Sequence, residues 1–100
     1  MARYKLTNKA VDDLTRIWNY TFDKWSEYQA DKYYFMLLDT CNEVARNPEL
    51  GKNYSGVVET ILGFKAGRHI IFYRKIEDHE VEITRILHEQ MDLKSRIIEE

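Results

Sequence analysis

A single cysteine, Cys41, leaves no partner for an intramolecular disulfide. Its place among the apolar positions of a helical stripe reads as a small buried side chain, so redox and metal chemistry are not expected and no cofactor is implied. Long apolar runs are missing as well. With tyrosine left out of the count, the longest covers residues 35–38, far short of the roughly 20 residues that span a bilayer. The opening Met1-Ala2-Arg3-Tyr4-Lys5 is followed by no signal-type apolar region, so a cytoplasmic protein without membrane contact is expected. Nor is there an excess of positive charge. Fifteen Lys and Arg against 17 Asp and Glu give a formal net charge of −2, whereas proteins that hold nucleic acid by its phosphates usually carry a basic balance or a strong basic patch. Repeats, linkers and low-complexity tracts are absent too, and the 100 residues suit a single domain spanning residues 1–100. A content of 44% apolar residues is enough for one core, although only a little over roughly 60% of the unfolded surface would be buried.

What is present divides into a helical half and a strand-like half. Tyr4-Lys5-Leu6-Thr7 alternates weakly and runs into a helix capped by Thr7 or Asn8. Val11, Leu14, Trp18, Phe22 and Trp25, with Ile17 beside them, step by three or four and predict a core-facing stripe, with Asp12, Asp13, Arg16 and Asp23 on the opposite face. Ser26-Glu27-Tyr28-Gln29 has the spacing of a capping box and opens a second helix. Ala30, Tyr34, Leu37, Leu38, Cys41, Val44 and Ala45 follow at helical spacing, and Asn47-Pro48 should end it. So short a break at Ser26 predicts an antiparallel helical hairpin covering one face of a sheet. Residues 49–56 read as a surface loop. From Thr60 the period becomes strand-like over 60–66, 68–75 and 80–88, with turns at Ala66-Gly67 and near Glu77-Asp78-His79, which makes a three-strand antiparallel meander. The fold class is therefore α+β, with a short polar segment after residue 90.

Two of these strands carry cations that a core-filling strand does not need: Arg68 and Arg74 in Gly67-Arg68-His69-Ile70-Ile71-Phe72-Tyr73-Arg74, and Arg85 and His88 in the last strand. Residues 63–75 hold Lys65, Arg68, Arg74 and Lys75 with no acid, while Glu77, Asp78, Glu80 and Glu82 come next, so the sheet is charge-segregated. Val81, Ile83 and Leu87 share strand parity with Arg85, whereas Thr84 and Ile86 share it with His88. Either Arg85 lies on an open concave face, which is the preferred expectation, or it is buried and paired with a carboxylate such as Glu59 or Glu82.

The order strand, helical hairpin, Asn47-Pro48-Glu49-Leu50-Gly51, then residues 67–74 and Arg85-Ile86-Leu87-His88-Glu89-Gln90-Met91-Asp92 resembles the ParE toxins of the RelE/ParE superfamily over nearly the whole chain. Trp18, Trp25 and Gln29-Ala30-Asp31-Lys32-Tyr33 add to the likeness. Leu62 departs from it, standing where the family often has Arg, and so does the loop Lys52-Asn53-Tyr54-Ser55-Gly56. The resemblance implies a bacterial type II toxin that inhibits DNA gyrase without catalysing a reaction and is neutralised by a ParD-like antitoxin in a hetero-oligomer. DNA would be reached only through antitoxin or gyrase.

A rival reading is a ribosome-dependent mRNA endonuclease of the RelE type, for which Glu59, Arg68, Tyr73, Arg85 and His88 offer a base, cations and an acid. A non-toxic binding relative is a third. The candidates for antitoxin or target contact are Arg68, Arg74, Arg85, His88, Met91 and Asp92, with residues 92–98 the expected target contact. The arginines are chosen because a guanidinium pairs bidentately with carboxylate or phosphate. For His88 a hydrogen-bonded structural role is the simpler expectation. His69 and His79 lack partners at metal-ligand spacing. Some of Tyr20, Tyr28 and Tyr33 are expected in an exposed aromatic patch that meets a protein partner.

Overall fold

A computed structural model describes residues 2–53 and 60–90. The chain runs β1 (Arg3–Leu6), α1 (Asn8–Lys24), α2 (Glu27–Arg46), a short 3-10 turn (Pro48–Leu50), β2 (Leu62–Ala66), β3 (His69–Glu77) and β4 (Glu80–His88). Thr7 starts α1: its hydroxyl accepts the Ala10 N–H at 3.1 Å and donates to the Thr84 carbonyl at 2.8 Å, so one side chain caps the helix and ties it to β4. Ser26 opens α2 in the same way, accepting from the Gln29 N–H at 3.1 Å. Proline at the first position of the 3-10 turn, just past α2, lets the chain leave the helix without losing a needed donor.

The strands form one sheet in the order β1-β4-β3-β2. The meander β2-β3-β4 is antiparallel as expected, while β1 joins parallel to β4, with Arg3 opposite Glu80 and Leu6 opposite Ile83, so the sheet is mixed. Parallel pairing follows from the long crossover through the two helices.

A β-bulge in β4 resolves the parity conflict in that strand. Phe72 pairs with Arg85 but Tyr73 with Ile83, which leaves Thr84 as an extra residue. Its hydroxyl donates to the Phe72 carbonyl at 3.2 Å. The extra residue lets Ile83 and Ile86 both join the core against the helices, with Ile71, Tyr73, Leu14, Leu37, Cys41 and Val44, while Leu87 joins Ile61, Ile70 and Phe72 in a second cluster.

Helix α2 buries Ala30, Leu37, Cys41, Val44 and Ala45, the stripe its spacing predicts. Helix α1 is turned from its predicted face. It buries Ala10, Asp13 and Leu14, while Val11, Phe22 and Trp25 are exposed, Trp25 to 75%. The predicted stripe took the aromatic positions as core, but α1 meets the sheet only through its first half. Farther along, Trp18 and Phe22 stack on each other with centroids 5.2 Å apart, and the Trp18 indole donates to Asp31 at 2.9 Å across the hairpin. Burial of Asp13 likewise overturns its expected place on the solvent face. No helix among the described residues is long and apolar enough to cross a membrane.

Candidate functional site

The cations of the sheet fall into three environments. At the middle of β4, Arg85 is buried, its side chain 6% exposed, and its Nε and Nη2 donate to the Asp13 carboxylate at 2.8 and 3.0 Å. The same carboxylate accepts the Ile86 N–H at 3.0 Å. Asp13 therefore closes the stretch of β4 edge that lies beyond the end of β1 and neutralises Arg85 in one contact. The open-face placement of Arg85 is corrected: the alternative of a buried pair holds, with Asp13 as the acid. Glu82, one of the acids considered for it, faces Arg74 instead, whose Nε donates to it at 2.7 Å. Arg74 is exposed, and Lys75 beside it reaches Glu49 and Asp78 at 3.7 and 3.5 Å.

The third environment is the end of the sheet where β2 turns into β3 and β4 finishes. Gly67 makes the turn with φ of +61°, and a Cβ there would meet the Tyr33 hydroxyl at 2.8 Å, so both conformation and space require glycine. Tyr33 reaches down from α2. Its hydroxyl accepts the Arg68 N–H at 3.0 Å and shares a hydrogen bond with His69 Nδ1, 2.6 Å away, whose direction is set by the imidazole tautomer. His69 pairs with His88 across the two strands, the rings edge to face with centroids 5.3 Å apart. The Gln90 N–H donates to His88 Nδ1 at 3.1 Å. His88 Nδ1 is thus an acceptor, which puts the hydrogen of that ring on Nε2.

Burial, and next the neighbouring His88, push the His69 pKa down to about 4, against the opposing pull of Asp13 and Glu89. The ring is neutral at physiological pH. Burial also raises the Tyr33 hydroxyl, opposed by the hydrogen bond and charge of Arg68. On the rim, Lys65 pairs with Glu89 at 3.0 Å. That hydrogen bond first, then the charges of Lys65 and Arg68, hold the Glu89 carboxyl below its usual range.

Of the residues singled out in the sequence, Arg68 and His88 come together at this end with Tyr33 and His69. Arg74 lies along β3, away from them, and Arg85 is committed to Asp13. Met91, Asp92 and Glu59 lie outside the described residues. Tyr73 is fully buried, accepting the Gly51 N–H and donating to the Pro48 carbonyl, both at 2.8 Å, so it serves to fasten the turn after α2. Tyr20 and Tyr28 are exposed as expected, whereas Tyr33 is half-buried in this cluster. The part played by Tyr33 and His69 was missed. Tyr33 stands one helical turn before Leu37 on the buried side of α2, and His69 shares parity with Ile71 and Tyr73, which is the signal that places both on the inner face.

A helical hairpin on a four-stranded mixed sheet is the fold of toxins known from solved toxin–antitoxin complexes. The structure matches a chain of the chromosomal ParDE system from P. aeruginosa with a TM-score of 0.74 at 19% identity, covering 88% of this chain and 96% of that one. It matches a chain of the RelBE2 toxin–antitoxin complex from Mycobacterium tuberculosis with a TM-score of 0.64 at 18% identity, covering 87% and 96%. In sequence, the chain is 32% identical over 92 residues to Toxin ParE1 of Mycobacterium tuberculosis, covering 92% of this chain and 94% of that protein. It is 31% identical over 97 residues to Toxin ParE1 of Caulobacter vibrioides, covering 97% and 99%. Residues 4–93 match the model of the ParE toxins of type II toxin–antitoxin systems, and the chain belongs to that family.

Proposed function

We propose that this ParE-family toxin inhibits DNA gyrase, catalyses no reaction of its own, and is held inactive in the cytoplasm by a ParD-like antitoxin with which it forms a hetero-oligomer. The observation that carries this over the endonuclease reading is the fate of the groups such chemistry needs. Cleavage through a ribose 2′-OH requires cations at the developing phosphorane charge and an accessible acid or base. Arg85 is spent on Asp13, and Tyr73 is spent on Pro48 and Gly51. Among the described residues Arg68 and His88 remain, Glu59 lying outside them, and two groups at one end of a sheet make a contact surface more readily than a catalytic constellation. Family membership supports the same reading. Residues 92–98 are proposed to touch the target.

The test incubates the purified chain with gyrase, ATP and relaxed plasmid and follows supercoiling and protein-linked DNA breaks. Lost supercoiling with accumulated breaks is expected. Full supercoiling at excess folded chain would sink the gyrase reading and turn attention to mRNA cleavage on ribosomes. Growth arrest on induction, relieved by co-expressing the antitoxin, is the parallel expectation in cells, and its absence would mark a non-toxic relative. Deleting residues 92–98 should abolish arrest in a chain that still folds.

A further inference from the structure

The sheet end built from Arg68, His69 and His88 has donors that the fold itself does not use. Each imidazole has its Nδ1 engaged by a neighbour, that of His69 by the Tyr33 hydroxyl and that of His88 by the Gln90 N–H. Among the described residues no buried side-chain nitrogen or oxygen lacks a hydrogen-bond partner. The Nε2 atoms of these half-buried rings, for which no partner exists among those residues, therefore reach solvent. Arg68 is exposed on the turn that immediately precedes His69. Lys65, the next cation, is taken by Glu89, so Arg68 is the one cation at this end that makes no ion pair among the described residues.

We propose that Arg68, His69 and His88 form a recognition site for a single carboxylate on an acidic peptide segment of a protein partner. This rests on the antitoxin reading above and deepens it. Imidazole nitrogens that can donate and one guanidinium supply a fixed positive charge and directional hydrogen bonds, which suits one carboxylate. A nucleic-acid strand asks instead for a track of cations. The other cations of β3, Arg74 and Lys75, lie five and six positions beyond His69, roughly 16–20 Å along the strand, and both are already paired with acids. Tyr33 contributes by occupying His69 Nδ1, so that Nε2 is the nitrogen left for the carboxylate.

The test is a titration of the full chain, labelled with 15N-histidine, against a capped hexapeptide of alternating Glu and Ala. The same peptide with Gln for Glu and a single-stranded RNA hexamer serve as comparisons. Saturable shifts of the His69 and His88 Nε2 resonances with the Glu peptide alone are expected. Arg68→Gln should weaken that binding at least tenfold with the backbone spectrum otherwise unchanged, and Lys75→Gln should leave it as it was. Equal response to the Gln peptide, a stronger response to RNA, or full binding by Arg68→Gln would each overturn the proposal. Pull-down with the ParD-like antitoxin is read separately: absence of any complex with the wild-type chain rejects the partner reading, whereas a complex insensitive to Arg68→Gln rejects only the site.

Discussion

Replacing Asp13 with Ala removes one carboxylate and three hydrogen bonds from the middle of the molecule, two to Arg85 and one to the Ile86 N–H. Both side chains of the pair are over nine-tenths buried. Breaking a buried ion pair from one side costs about 3–5 kcal/mol, because the remaining charge loses its counter-charge without regaining water. Leaving the Ile86 N–H short of an acceptor adds about 1 kcal/mol or more. A domain of this size has a stability of about 5–15 kcal/mol, so the variant should be marginal. At about 4–8 °C per kcal/mol, a loss of about 4 kcal/mol lowers Tm by roughly 15–30 °C.

Urea unfolding of wild type, Asp13→Ala, Arg85→Met and the double variant Asp13→Leu with Arg85→Met separates the pair from its parts. Each single change should cost several kcal/mol, and the apolar double variant should recover most of that loss, since removing both charges removes the desolvation cost as well, falling short of wild type by the roughly 1–3 kcal/mol that the unpaired Ile86 N–H still costs. A loss below about 1 kcal/mol in Asp13→Ala, or a double variant no better than the singles, would refute the account of a buried fastening. Function provides a second reading of the same proteins. If the double variant is stable and matches wild type in the gyrase assay proposed above, Arg85 acts only through the fold. Loss of inhibition in that stable variant would restore Arg85 as a contact residue.

Gly67→Ala should lose about 1–3 kcal/mol in urea unfolding, because a Cβ is disfavoured at φ of +61° and must also displace the Tyr33 hydroxyl; an unchanged midpoint would contradict the close approach. For His69, a folded pKa of about 4 against an ordinary 6.5 means that the unfolded chain binds more protons between those values. Stability should therefore be full above pH 6.5 and fall as pH drops toward 4, by at most about 1.4 kcal/mol per pH unit, and His69→Gln should flatten that part of the profile. Cys41 is fully buried and its thiol is pushed up to about 12 by burial, so a disulfide reagent should label it only as the chain unfolds; labelling at the rate of a free thiol would show an opening that the packing does not provide. Trp25→Ala, at a position 75% exposed, should change stability by no more than about 0.5 kcal/mol, and a core-sized loss would favour the stripe predicted from sequence over the observed one.

The differences between sequence and structure have a common physical origin in what a local period can and cannot encode. Helical spacing announces α1 and α2, and the caps at Thr7 and Ser26 are readable because a capping hydroxyl and its N–H lie three residues apart. Which face of α1 is buried depends on where the sheet ends, and that depends on pairings across some seventy residues of chain. Aromatic residues beyond the sheet keep helical spacing without being core, which is why Phe22 and Trp25 mislead. In β4 the alternation fails by one residue at Thr84, and a period of two continued through a bulge assigns every later side chain to the wrong face.

The same limit governs the site. Arg68 and His88 were legible because a tight turn and an adjacent antiparallel pairing bring the start of β3 to the end of β4. Asp13 and Tyr33 were not, because each acts on a strand 72 or 36 residues away. Those two side chains, both on helices, decide what the cations of the sheet can do. Asp13 withdraws Arg85 into the fold, while Tyr33 binds the backbone of Arg68 and occupies Nδ1 of His69. A charge pattern along a strand therefore supplies candidates, and the helix packed against it determines which of them remain available to a partner.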